Sequence, residues 1–251
     1  MRHPNIEDSQ KYKELQVVQS NDFITTVQPV SLNTKKLLCY EISWIKRTDS
    51  DFSEHTYTIK DIANIIGVPA EDKNIYKTVA KIRNELMNNK FLIVNKDADI
   101  EIVINLMSFT KKTTHGLTLK LNNDLKDFLL HLNNGNFTRL DRALITRFKS
   151  YYGLRLYEIL QANLYKSHII QVSVPDFRKY MNCENKYPQI QGLRTRVLDV
   201  AVKDIAQATS DVVSYTLEKT SGVYDTITFI VSSSEAKRDT SGGISPEDVF
   251  R

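Results

Sequence analysis

Two groups of side chains in this 251-residue chain have the types and spacing to do chemistry. In the first, Lys73, Lys77 and Lys81 recur at every fourth position beside Asn74, so a helix through them carries three ammonium groups along one face. In the second, Lys186, Gln189, Gln191, Arg194, Thr195 and Arg196 crowd one short stretch, with Lys203 two turns beyond them. A lysine is a compact charge suited to a phosphate, whereas the arginine fork matches guanine O6 and N7 and a glutamine amide matches adenine N6 and N7. Phosphate-seeking charges combined with base-edge readers point to double-stranded DNA, although a stripe of lysines is also what a merely solvated helix face carries.

Covalent chemistry finds much less support. None of the eight glycines falls in a phosphate-binding loop or a dinucleotide fingerprint, and none of the five histidines pairs at metal-ligand spacing. Tyr151-Tyr152 imitates the tyrosine pair of a nicking enzyme, but with Phe148, Leu154 and Leu156 it reads as the core and rim of a helix. No catalytic residue, metal site or cofactor is expected. Cys39 and Cys183 lie far apart outside any Cys-x-x-Cys pair and read as buried, reduced thiols.

The composition agrees with a folded DNA-binding chain. Hydrophobic residues make up 41% and charged residues 25%, with 34 basic against 30 acidic side chains and a net charge of +4. The excess is local: 137–168 holds six basic against two acidic residues and 72–90 holds five against two. No run approaches the roughly 20 apolar residues of a membrane span, and the first residues contain no apolar block to act as a signal, so a cytoplasmic protein with no membrane partner is expected.

The elements that position the two clusters repeat. Thr58-Ile59-Lys60-Asp61 and Ser173-Val174-Pro175-Asp176 are both capping boxes opening a short helix. A longer helix follows each, with Ile75, Val79, Ile82 and Leu86 buried in one and Leu193, Val197, Ala201 and Ile205 in the other. Two β-rich runs close each unit: Phe91–Asn95 with Ile100–Leu106, and Val212–Leu217 with Thr226–Val231, the latter joined by a tip that includes Lys219. Helix, helix, hairpin is the order of a winged helix-turn-helix, and its second helix is the one offered to the major groove. A preceding helix, Leu32–Ile45 in one unit and Leu140–Leu164 in the other, supplies packing. The fold class is therefore α+β, two tandem winged helix-turn-helix domains. Arg194 lies near the apolar side by angle, but at a helix start that projects beyond the core it reaches bases; Lys203 faces backbone or solvent, and Lys219 serves phosphate or the minor groove.

Three stretches carry a family resemblance: Val17-Val18-Gln19-Ser20-Asn21-Asp22-Phe23-Ile24, Gly153-Leu154-Arg155-Leu156-Tyr157-Glu158-Ile159-Leu160, and Arg196-Val197-Leu198-Asp199 with Ala201-Val202-Lys203-Asp204-Ile205. Over nearly everything from Val17 to Val231 the chain resembles the initiator replication proteins, the iteron-binding initiators of plasmid replication. The resemblance implies binding to repeated origin sequences as a monomer, a homodimer in equilibrium with it that represses its own gene, and recruitment of host replication initiation proteins and helicase. Where the family often has an aromatic and consecutive basic residues before Arg-Val-Leu, this chain has Leu193-Arg194-Thr195. The expected division is a flexible 1–14, an N-terminal domain 15–134 for dimerisation and DNA backbone contact, a C-terminal domain 135–231 as main sequence reader, and a disordered tail 232–251. Residue patterns alone leave a winged-helix transcriptional regulator open.

Overall fold

The structure is a computed structural model that describes residues 16–95, 100–132 and 136–233. The expected flexible start, most of the expected tail and the expected domain boundary between 134 and 135 lie outside those residues; Ser232 and Ser233, assigned to the tail, end a strand instead.

Strand β1 (Gln16–Ser20) leads into α1 (Asn21–Thr25), whose start is capped by the Ser20 hydroxyl accepting from the Phe23 N–H at 3.1 Å. The supporting helix α2 (Leu32–Ile42) follows, then β2 (His55–Thr58), α3 (Ile59–Ile66) and α4 (Ile75–Asn88). Thr58 and Asp61 form the reciprocal cap expected of them, and Gly67, at φ +79°, ends α3 in the left-handed conformation that glycine enters without strain. Four strands come next: β3 (Lys90–Asn95), β4 (Ile100–Asn105), β5 (Met107–Lys112) and β6 (Gly116–Leu121).

A short α5 (Lys126–Leu129) precedes β7 (Phe137–Asp141), α6 (Arg142–Ile145) and α7 (Tyr151–Leu164). The single helix expected over Leu140–Leu164 is thus a strand and two helices. Asp141 caps α6 by accepting from the Ala143 N–H, and Ser150 opens α7. The second unit holds β8 (Ile169–Ser173), α8 (Val174–Tyr180), α9 (Ile190–Leu193), a π-helical turn at Arg194–Leu198, α10 (Asp199–Ala208), β9 (Asp211–Thr220) and β10 (Val223–Ser233). Ser173 caps α8, but the Asp176 carboxylate accepts from the Ser173 hydroxyl, so this cap is less complete than the first.

Sheet topology corrects the assignment of the first wing. The second unit has strand order β8-β10-β9, with β8 leading into its first helix; the first unit has order β2-β6-β5, with β2 leading into α3. Strand for strand, β5–β6 is the counterpart of β9–β10. The hairpin β3–β4, expected to be the wing, is a separate two-stranded sheet inserted between the second helix and the wing.

One hydrophobic cluster runs through both units, from Phe23, Leu37 and Ile82 to Leu154, Val197 and Phe229. Across the expected domain boundary, β1 pairs antiparallel with β7, Gln16 opposite Asp141 and Ser20 opposite Phe137. Inside this shared core sits a charged cluster. Glu158 accepts from Lys35 Nζ at 2.7 Å, from Arg155 Nη1 at 2.7 Å and from Gln19 Nε2 at 3.1 Å, with Lys35, Arg155 and Glu158 fully buried. Burial alone would raise the Glu158 carboxyl, but the two cations hold it below the usual glutamate range. Arg155 also donates to the carbonyls of Ile24, Thr26 and Tyr180, tying α7 to both units.

Candidate nucleic-acid interface

The second helix of the second unit, the expected reader, is held at its buried side first. Leu193, Val197, Ala201 and Ile205 are all fully buried, as their spacing demands. Asp204, on the same helix, accepts from the Lys149 and Ser150 N–H groups at the start of α7, at 3.0 and 2.8 Å. Gly153 makes this docking feasible, since a Cβ there would lie 2.2 Å from the Asp204 carboxylate. The π-helical turn closes with the Asp199 N–H donating to the Arg194 carbonyl. Widening the helix there buries Val197 and Leu198 side by side and leaves Arg194, Thr195 and Arg196 exposed in succession.

Each expected reader in this unit is exposed, but several are already engaged. The Tyr215 hydroxyl donates to Asp199 Oδ1 at 2.5 Å, and the Arg194 side chain hydrogen-bonds with the same phenol. Burial and then Asp199 push the Tyr215 phenol up to about 12, with Arg194 pulling the other way. Thr195 spends its proton on the Gln191 carbonyl at 3.0 Å. Arg196 lies over the Tyr187 ring, 5.6 Å from its centroid. Gln189 sits at the cap of α9, Lys186 in the loop before it, and Lys203 on the outward face of α10. Lys219 stands on β9 opposite Tyr224, its ammonium 4.4 Å from that ring's centroid; the tip itself is Ser221-Gly222, both at positive φ as a tight two-residue hairpin turn requires.

In the first unit Ile75, Val79, Ile82 and Leu86 are buried and Lys73, Asn74, Lys77 and Lys81 exposed. Asn74 occupies the cap of α4 without making a side-chain cap bond. Lys77 and Lys81 line an open groove with Asn84 and Asn88. Lys81 is drawn to Glu85 at 3.8 Å, and the second oxygen of Glu85 accepts from the Ser31 N–H and the Thr34 hydroxyl at the start of α2. Burial would raise the Glu85 carboxyl; these bonds, then Lys81, bring it below the usual range.

Several side chains near these two clusters were missed from sequence. Lys111 and Lys112, exposed on the true first wing, follow an apolar-polar alternation that continues through Leu117, Leu119 and Leu121, the signal that would have found them. Arg178, which clamps the loop before α9, carries no sequence signal, because its partners are backbone carbonyls. The tyrosine pair has structural partners: Tyr151 donates to the Gln28 carbonyl, and Tyr152 shares a hydrogen bond with Tyr187. Burial pushes both phenols up, Tyr151 to about 12, the direction that makes a phenol harder to ionise into a nucleophile. Among the described residues no group of acidic, histidine and cysteine side chains is placed to hold a metal ion, and no helix is long and apolar enough to cross a membrane.

Comparison with known proteins places this geometry. No curated protein matches the chain. Among solved structures it is similar to the Pi initiator protein crystallised in complex with iteron DNA, at 16% identity and a TM-score of 0.73, covering 89% of this chain and 99% of that one. It also matches domains 2 and 3 of RctB at 9% identity and a TM-score of 0.48, over 85% of this chain and 84% of that one. Two family models fit in succession: "Initiator Replication protein, WH1" over residues 16–161 and "Initiator Rep protein, WH2" over residues 173–231. The first alone spans more than half of the length, and the chain belongs to the initiator replication protein family, with the two winged-helix domains that define it.

Proposed function

We propose that this protein starts plasmid replication by binding tandem repeats at an origin, without covalent chemistry of its own. The observation that carries the reading is the twofold appearance of one unit, β2-β6-β5 and β8-β10-β9, each presenting a second helix whose outward face is basic. A repeated reader fits a site read in two successive grooves, and the likeness to an initiator seated on iteron DNA supports the same use here. In this reading the second unit reads bases through Arg194, Arg196, Gln189 and Gln191, with Thr195, Lys186, Lys203 and Lys219 alongside. The first contributes backbone contacts through Lys73, Asn74, Lys77 and Lys81, joined by Lys111 and Lys112. Opening of the origin, recruitment of host replication proteins and autorepression by a dimer in the cytoplasm follow from the family. For the dimer we propose the β3–β4 hairpin, whose Ile102 and Val103 are exposed on a sheet that has only these two strands among the described residues.

Footprinting on the DNA flanking the coding region tests this. Two readers one helical turn apart stand ~34–36 Å from each other, so protection should extend over about two turns. With roughly six to eight phosphate contacts, log K should fall against log salt with a slope of about −5 to −7, whereas a slope near −2 would mean that the lysines are only solvated. A plasmid carrying the gene and its flanking repeats should replicate. A single palindrome bound without replication would make the protein a transcriptional regulator, and a tyrosyl-DNA adduct would make it a nicking enzyme.

A further inference from the structure

We propose that Tyr187 is a positioning residue for DNA recognition, a ring platform over which the Arg196 guanidinium is held and aimed at the duplex. The inference rests on the DNA-binding reading above and adds to it a residue that itself need not touch DNA. Tyr187 lies in the loop between α8 and α9 at φ +53°, a backbone angle that a bulky residue adopts only when its surroundings hold it there. Two contacts do so, and a glycine leaves the space. Arg178 on α8 donates to the carbonyls of Lys186 and Tyr187 at 2.8 Å each and of Pro188 at 3.3 Å, clamping the loop to the helix before it. Gly192 on α9 leaves room beneath, since a Cβ there would come within 3.3 Å of the Tyr187 Cβ. The phenol shares a hydrogen bond with Tyr152 on α7.

Over the ring so placed sits Arg196, its Cζ 5.6 Å from the centroid. A cation over a ring is held without using up its N–H donors, so the guanidinium is oriented at little cost to its hydrogen-bonding fork. Among the described residues Arg196 has no hydrogen bond or ion pair, and its donors face solvent on the exposed turn. An arginine held in one rotamer loses less side-chain freedom on binding than one that samples many. The loop-helix junction thus sets the aim of a DNA-contacting residue from outside the contact.

The test uses the full-length protein and the duplex it selects from a random-sequence pool, with a scrambled duplex as control. Tyr187→Phe keeps the ring; Tyr187→Asn removes it while accepting the left-handed backbone, so the loop stays folded, and Tyr187→Gly is a second ring-less variant of the same kind. At fixed salt, Tyr187→Phe should bind like the parent and Tyr187→Asn roughly two- to fivefold more weakly. Arg196→Ala should cost about tenfold, and adding Tyr187→Asn to it should cost nothing more, since the platform then has no cation to hold. Additive losses in the double variant, or equal losses for Phe and Asn, would overturn the platform while leaving DNA binding intact. A parent protein that selects no duplex would overturn the DNA-binding reading itself, and this inference with it.

Discussion

The two winged helices share a topology and differ in how the second helix is built. In the first, α4 runs unbroken through Ile75–Asn88 with lysines spaced along one face, and a hairpin with no counterpart in the second unit separates it from its wing. In the second, a π-helical turn interrupts the helix where Arg194, Thr195 and Arg196 stand, and tyrosines from flanking elements brace two of them. Point charges on flexible stems tolerate any sequence beneath them; braced planar forks do not. On the proposed reading, one scaffold serves grip in one copy and discrimination in the other.

That division presumes two units that stand or fall together, and the largest effect tests it. Glu158→Gln leaves Lys35 and Arg155 buried without their anion and should destabilise the fold by about 3–5 kcal/mol, read as one cooperative transition shifted whole. A split into two transitions would show that the units are independent. The pH dependence has a fixed sign. The folded pKa of Glu158 lies below the usual value of 4.5, so its stabilisation is complete above that pH and is lost as the pH falls through the depressed folded value.

Gly153→Ala sharpens the comparison from the second unit's side. Its Cβ would collide with the Asp204 carboxylate that fixes the reading helix to α7, so a loss of about 1–3 kcal/mol in stability is expected. Because the displaced element is the proposed reader, discrimination between selected and scrambled duplexes should fall further than overall affinity. A variant that melts early yet discriminates as the parent does would separate helix docking from reading.

The sequence carried the helix faces well and the charged core not at all, and the physical reason is range. Ile75 to Leu86 and Leu193 to Ile205 announce their buried sides through a local period of 3.6. Gln19 and Glu158 meet across 139 positions, and nothing near either predicts that a carboxylate will be buried. Two of the stretches that carried the family resemblance, Val17–Ile24 and Gly153–Leu160, supply Gln19, Arg155 and Glu158 to this cluster, and Lys35 joins them from α2. The first wing was misplaced because β3–β4 follows α4 directly, whereas the true wing is recognised only by its pairing with β2, a strand of four residues. That the expected readers would be exposed was legible; their braces were not, because a cation over a ring and a guanidinium on backbone carbonyls leave no spacing pattern.

Substitutions on the two reading helices should differ in kind. Arg194→Ala should cost about 1–3 kcal/mol on the selected duplex and much less on scrambled DNA. Lys77→Ala should weaken both alike and lower the salt slope by about one. Competition binding at fixed salt separates the two patterns. Equal losses on both duplexes for Arg194→Ala would mean that Tyr215 and Asp199 keep this side chain for the protein's own use.

The wings should give the smallest effect and the finest comparison. Lys219 shares its charge with the Tyr224 ring, whereas Lys111 and Lys112 are exposed neighbours on β5. An ammonium over an exposed ring is stabilised by about 0.5–1 kcal/mol, which a phosphate must exceed before it recruits that lysine. Lys219→Ala is therefore expected to change affinity less than either Lys111→Ala or Lys112→Ala, with a shift in salt slope well below one. Tyr224→Leu provides the converse: freed from the ring, Lys219 should gain a phosphate contact and steepen the slope. A steeper loss from Lys219→Ala than from the first-wing variants would place the stronger backbone grip in the second unit and reverse the division of labour.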